Sequence, residues 1–236
     1  MTADRTATGL RRTLVVAGTA GLLLGTAACS SSGGVTGTGS LSYDHVRSTA
    51  QGLAGTDPCP FGLDLPAALK SAGIDRPVTP GAKDEPAVGT DLGNGKPPEP
   101  WPSGVSAPPG MASIPATPPS AWVTCTYTVG ATPVRIDLLA VPENGPVVNM
   151  MLPSIQRAGN LGVDQLKQFA DEQPTAGRTK VTPGAASVGV ARVAAKGKGD
   201  IALTLSQDTV NATLEPALTG EALRKATEQL AAQLHP

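Results

Sequence analysis

The sequence predicts a single α+β domain: an antiparallel sheet of about four strands from two hairpins, with helices on one face and a long Pro-rich insert. Three observations predict it. Residues 122–129 (WVTCTYTV) and 134–141 (VRIDLLAV) alternate in polarity around a GATP turn, the period of a half-buried hairpin. A second pair, ASVGVARVAA and DIALTLS, flanks the turn-forming KGKG. The last predicted element is a helix with one apolar stripe, Leu223, Ala226, Leu230 and Leu234.

Composition limits the function. The 236 residues allow one domain or two small ones. The net charge is -1, and the densest basic stretch, Lys196-Gly197-Lys198, reads as a hairpin turn. Aromatic residues make up only 3%, too few for a base-stacking or sugar-stacking platform. No nucleic-acid partner is expected. With 23 Pro and 28 Gly, a substantial irregular segment is expected.

Residues 1–28 have the three parts of an export signal: an n-region ending in Arg11-Arg12, an apolar run from Leu14 to Leu24, and small residues before Cys29. The apolar run is shorter than the ~20 residues a mature membrane span needs. Thr26-Ala27-Ala28-Cys29 resembles the lipobox of bacterial lipoproteins, with Thr26 where Leu is usual. The resemblance implies a diacylglyceryl group on the Cys29 sulfur and cleavage just before it. Ser30-Ser31-Ser32-Gly33-Gly34 then begins a flexible tether, residues 29–40. The alternative is an ordinary signal peptide with a coincidental Cys. Arg11-Arg12-Thr13-Leu14-Val15 also resembles a twin-arginine export signal, and the general secretion route is equally open. Localisation at the outer face of the cytoplasmic membrane is expected, with the membrane as a partner through the Cys29 lipid.

With Cys29 assigned to lipid, Cys59 and Cys125 remain to pair in an oxidising compartment. The bridge would close a long loop and contribute up to roughly 4 kcal/mol in the chain-entropy model. A metal or reactive-thiol role has little support: there is no C-x-x-C, and the two His residues, His45 and His235, lie near the two ends of the predicted domain.

The domain, residues 41–236, opens with a short helix within 40–55, capped by Ser40 or Ser42, with Leu41, His45 and Val46 on one face. A second follows, capped by Asp64, with Pro66 in its first turn and Gly73 at its end. Residues 76–120 hold twelve of the prolines, so neither regular helix nor interior strand is expected there. The stretch reads as a partly polyproline-II excursion, most simply a tolerated surface insertion, though Trp101 is a residue a partner can bury. After the first hairpin, a helix begins near Pro146 and should kink or break at Pro153. VDQLKQFADEQ adds a short amphipathic helix with Leu166, Phe169 and Ala170 inward. The final helix has Thr219 as its cap, Leu218 and Leu223 as a staple, and a Glu221–Lys225 pair.

Asp57-Pro58-Cys59 before a short helix, Cys125-Thr126-Tyr127, and the late hairpin before ATEQLAAQL resemble a family of small cell-envelope lipoproteins of high-GC Gram-positive bacteria carrying a domain of unknown function. Coverage is about residues 40–234. The second Cys of that family is often followed at two residues by Trp, where this chain has Tyr127, and the Pro-rich insert is unusually long here. The resemblance carries over no catalytic residue.

Site signatures of common enzymes are missing. GAASVG (184–189) has the wrong spacing for a nucleophile elbow, and GNGKPP (93–98) lacks the first Gly and the Ser/Thr of a P-loop. Asn211-Ala212-Thr213 is a chance sequon in this context. Acid–base catalysis needs only two carboxylates placed by the fold; Asp137 and Glu143 lie near the first hairpin and Asp171 and Glu172 end a helix, and each reads as a solvated surface charge. No catalytic, cofactor-binding or metal residues are expected. The expected function is a binding or interaction module for an envelope protein or a small molecule. An envelope hydrolase using paired carboxylates and an apolar-ligand carrier are the alternatives.

Overall fold

The computed structural model describes residues 41–83, 85–96, 117–145, 147–207 and 214–234. Within them lie α1 (Tyr43–Gly52), α2 (Leu65–Ser71), β1 (Val78–Pro80), β2 (Val88–Gly93), β3 (Ser120–Val129), β4 (Thr132–Val141), α3 (Val147–Gly159), α4 (Val163–Asp171), β5 (Arg178–Val181), β6 (Gly189–Val193), β7 (Asp200–Gln207) and α5 (Gly220–Gln233). All the strands pair antiparallel in one open sheet ordered β1-β3-β4-β7-β6-β5, with β2 also on β3. The α+β class and both expected hairpins, β3–β4 and β6–β7, are present.

The sheet has seven strands among the described residues, against the four expected. Two of the additional strands lie in the Pro-rich region. β1 pairs with residues 127–129 of β3 and β2 with residues 120–125, so the two run end to end along one edge. An edge strand needs donors on one side only, which is where prolines are tolerated. β2 also falls in a proline-free window between Pro86 and Pro97. Residues 97–116, with Trp101, lie outside the described residues. The other addition, β5, is a four-residue edge strand on β6, too short to stand out as alternation.

Helices cover both faces, not one. On the first face, α1, α2 and α5 bury Val46, Leu65, Leu69, Leu223 and Leu230 against Val123, Cys125, Ile136, Leu138, Leu203 and Leu205. On the second, α3 and α4 bury Val148, Met151, Ile155 and Phe169 against Leu139, Val141, Val190 and Ala202. The reason is legible in β4. The run Leu138-Leu139-Ala140-Val141 is apolar on both sides of the pleat, so each side needs a cover.

Local sequence explains the helix ends. Ser42 Oγ accepts from the His45 amide at 3.3 Å, and Asp64 Oδ1 from the Ala67 amide at 2.9 Å. Gly73 leaves α2 at φ +82°, a conformation glycine adopts without strain. Leu218 and Leu223 are both fully buried beside α5, as a staple requires. Thr219 stands at the expected cap but its hydroxyl donates to the Pro216 carbonyl, so it caps no amide. Glu221 pairs chiefly with Arg224, at 2.6 Å, and lies 3.9 Å from Lys225. Pro153 neither breaks nor ends α3, which runs through it. Pro153 removes one helix donor, and the burial of Met151 and Ile155 on either side holds the run together. Pro146 lies outside the described residues.

Three contacts fix the sheet. Cys59 and Cys125 form a disulfide with Cα atoms 5.6 Å apart, tying the loop before α2 to β3. Arg47 of α1 donates to the carbonyls of Gly93 and Ser120 at 2.9 and 3.3 Å, which clamps the β2–β3 pairing. Gly189 lets β6 approach α5: a Cβ there would lie 2.0 Å from Thr227 Oγ1.

Candidate functional site

The second face of the sheet is covered at one end only. Trp122, Leu139 and Ala202 sit side by side in register under α3 and α4. Two residues along each strand the row becomes Thr124, Asp137 and Thr204, and two further it becomes Thr126, Arg135 and Ser206. The last turns of α3 bring Ser154 and Arg157, three residues apart and so on one side of the helix, over these polar rows. The result is a cleft of about 230 Å³ between α3 and β4/β7, walled on its apolar side by Ile155, Ala158 and Val188. A second lobe of about 460 Å³ continues past Asp137 and Ser154 toward β2 and the half-buried Trp122.

Asp137 is the centre of this arrangement. It is 5% exposed, and its Oδ1 accepts from Trp122 Nε1 at 3.1 Å and from Thr124 Oγ1 at 2.6 Å. Those two donors fix the carboxylate plane and the indole together. Thr204 and Ser206 are 2% and 4% exposed as residues, and their hydroxyls, which have no protein partner among the described residues, are not sealed in but open to the cleft. A hydroxyl so placed takes its partner from water or from a bound molecule. Both line the cleft. Arg135 pairs with Glu85 at 3.3 Å on the rim, while Arg157 has no ion pair among the described residues.

The carboxylates named from sequence separate clearly. Asp137, expected to be a solvated surface charge, is instead a buried acceptor. Glu143 is exposed beyond the end of β4. Asp171 is exposed, and so is Glu172, whose hydrogen bond from Lys180 holds its carboxyl below the ordinary range. His45 is exposed on α1 with its ring edge-on to Phe61 at 5.7 Å. His235 and Cys29 lie outside the described residues. No group of three His, Cys, Asp or Glu side chains is placed to hold a metal, and no helix is long and apolar enough to cross a membrane, among the described residues.

Sequence reasoning did not find Ser154, Arg157, Thr204 or Ser206 as a group. Part of the signal was present: β3, β4 and β7 each carry at least two polar residues on the face opposite the first core. What turned that row into a cleft was α3 on the same side, which the expectation of helices on one face did not contain. Comparison with known protein families, curated proteins and solved structures finds no match to this chain.

Proposed function

We propose that this chain is a lipid-anchored extracytoplasmic binding protein, held to the outer face of the cytoplasmic membrane through Cys29, and that it receives a small polar ligand in the cleft over Asp137. The observation that carries the ligand site is the convergence on one cleft of the Thr204 and Ser206 hydroxyls, which have no protein partner among the described residues, and a fixed carboxylate. Polar groups that face a cleft without bonding one another can bind a ligand there. The anchor rests on the export signal, the lipobox pattern and the Ser/Gly tether, and the likeness to small envelope lipoproteins points the same way.

This reading makes the protein a binder without catalysis. Hydrolysis by paired carboxylates needs a second acid set at a suitable distance, roughly 5–10 Å, across the bound bond. Glu85 and Asp91 do rim the adjoining lobe with Asp137, which keeps an envelope hydrolase as the second reading. Glu85, however, is already tied to Arg135. Arg135, Asp137 and Arg157 on the cleft wall would set a lipid or pigment against charged groups, which counts against an apolar-ligand carrier.

Untargeted mass spectrometry of small molecules released from the purified protein tests the site. Ser154→Trp places a large side chain between the two lobes from the half-buried face of a helix. The variant should lose the co-purifying species and keep its melting temperature. Retention of the same species in the same amount would remove the cleft from consideration. For the anchor, Cys29→Ala should abolish lipid labelling and release the protein from the membrane. Continued membrane fractionation with intact labelling would overturn the assignment.

A further inference from the structure

Resting on the reading of the cleft as a ligand site, we propose that its ligand is a hydroxylated organic anion of about monosaccharide size. Volume sets the scale. The lobe under α3 holds about 230 Å³. A water occupies roughly 30 Å³ in the liquid, so the lobe has room for about eight waters or one substituted six-membered ring.

Charge and hydrogen-bonding capacity set the chemistry. Arg135 and Arg157 reach the lobe from the sheet and from the helix, and Asp137 is the carboxylate between them. Arg157 lacks an ion-pair partner among the described residues, and a guanidinium is shaped to receive a carboxylate or phosphate through two parallel N–H donors. Its place in the last turn of α3 would by itself suit the helix dipole. The dipole does not account for the unpartnered hydroxyls facing it. Thr204 and Ser206 can each donate and accept, and Asp137 Oδ2 has no partner among the described residues while Oδ1 carries two donors. A free carboxylate oxygen flanked by two hydroxyls matches adjacent alcohol groups of a polyol. Ile155 and Ala158 offer the apolar surface that the C–H face of such a ring needs. An inorganic anion would leave Asp137 repelling it and the hydroxyls partly unused. A neutral sugar would leave Arg157 without a counter-charge.

Calorimetric titration of the full-length, detergent-solubilised protein with four probes tests the class: glucuronate, glucose 6-phosphate, glucose and inorganic phosphate. At least one of the two hydroxylated anions should bind about tenfold or more tighter than both glucose and inorganic phosphate. Which of the two wins distinguishes a carboxylate from a phosphate ligand. Arg157→Gln, an exposed position, should lower that affinity about tenfold with no change in melting temperature. Thr204→Val should weaken binding about fivefold with little change in melting temperature, because the hydroxyl it removes bonds only what occupies the cleft. A hydroxyl with a merely structural role would lower the melting temperature and leave affinity unchanged.

The proposal is overturned if glucose or inorganic phosphate binds as tightly as the better acid, if none of the four binds, or if Arg157→Gln leaves affinity unchanged. The two levels fail separately. Should Ser154→Trp still deplete the co-purifying species, only the anionic class is lost. Should that species persist in Ser154→Trp, the cleft itself is lost as the ligand site.

Discussion

The two faces of the sheet are built from the same strands and do different things. On the first face α1, α2 and α5 cover the strands from Val123 to Val129 and from Ile201 to Leu205 with apolar contact, and the Cys59–Cys125 bridge lies inside that layer. On the second face α3 and α4 cover one end, and the rows through Asp137 and Arg135 are polar, with the Thr204 and Ser206 hydroxyls open to the cleft. β7 shows the contrast residue by residue: Leu203 and Leu205 point into the closed layer, Thr204 and Ser206 into the cleft. One side of the pleat is sealed by apolar contact, and the other pairs a smaller core with polar groups turned toward a cleft.

The largest expected effect comes from the closed face. Replacing both bridge residues, Cys59→Ser with Cys125→Ser, removes a cross-link over a separation of 66 residues. The chain-entropy model puts the loss at about 4 kcal/mol, measurable as a lower urea midpoint. Amide exchange should accelerate in α2 and in the β2–β3 pairing, and stay slow in α3. A uniform acceleration through both layers would mean that the faces are not energetically separate.

Next in size is Leu203→Ala, at about 3 kcal/mol, because the fully buried site cannot collapse between the strand and α5. Its neighbour gives the sharper comparison. Thr204→Val should change the stability of the ligand-free protein by less than about 0.5 kcal/mol. A large loss beside a near-neutral change at adjacent positions of one strand is the signature of a structural face and a binding face. Two losses of similar size would make the second face another core with a poorly packed end.

How much of this was legible in sequence follows from the same contrast. The closed face could be read because its signals are local and periodic: the alternation of Val123, Cys125 and Tyr127, the stripe of α5, and the elimination that left Cys59 and Cys125 to pair. The edge strands β1 and β2 are hidden by the proline density of 76–120 as a whole, while pairing depends on a short window and on having only one partnered side. The cleft was hidden for a different reason. Asp137 looks like any polar residue on the outer row of a hairpin until a helix 17–20 residues further along the chain lies across it, and no spacing rule in β4 encodes where α3 will land. The apolar pair Leu139 and Val141 was the available sign that this side, too, had a cover.

The smallest effect separates the faces by pH. Tyr127 belongs to the closed face, 7% exposed, and burial followed by the nearby Asp64 carboxylate raises its phenol above the ordinary 10.0. In the unfolded chain the phenol ionises near pH 10, while the folded protein holds the proton to higher pH. The folded state therefore binds more protons than the unfolded state above about pH 10. The stabilisation is fully present below that pH and is lost as pH rises through the folded pKa. Melting temperatures measured from about pH 9 to pH 11 should fall more steeply for the native chain than for Tyr127→Phe, with the two nearly equal at pH 7. Added salt screens the Asp64 share and leaves the larger, burial share, so the difference in slope should shrink without vanishing. Parallel slopes for the two proteins would mean that water reaches Tyr127, and that the closed face is open at the end where the disulfide meets the sheet.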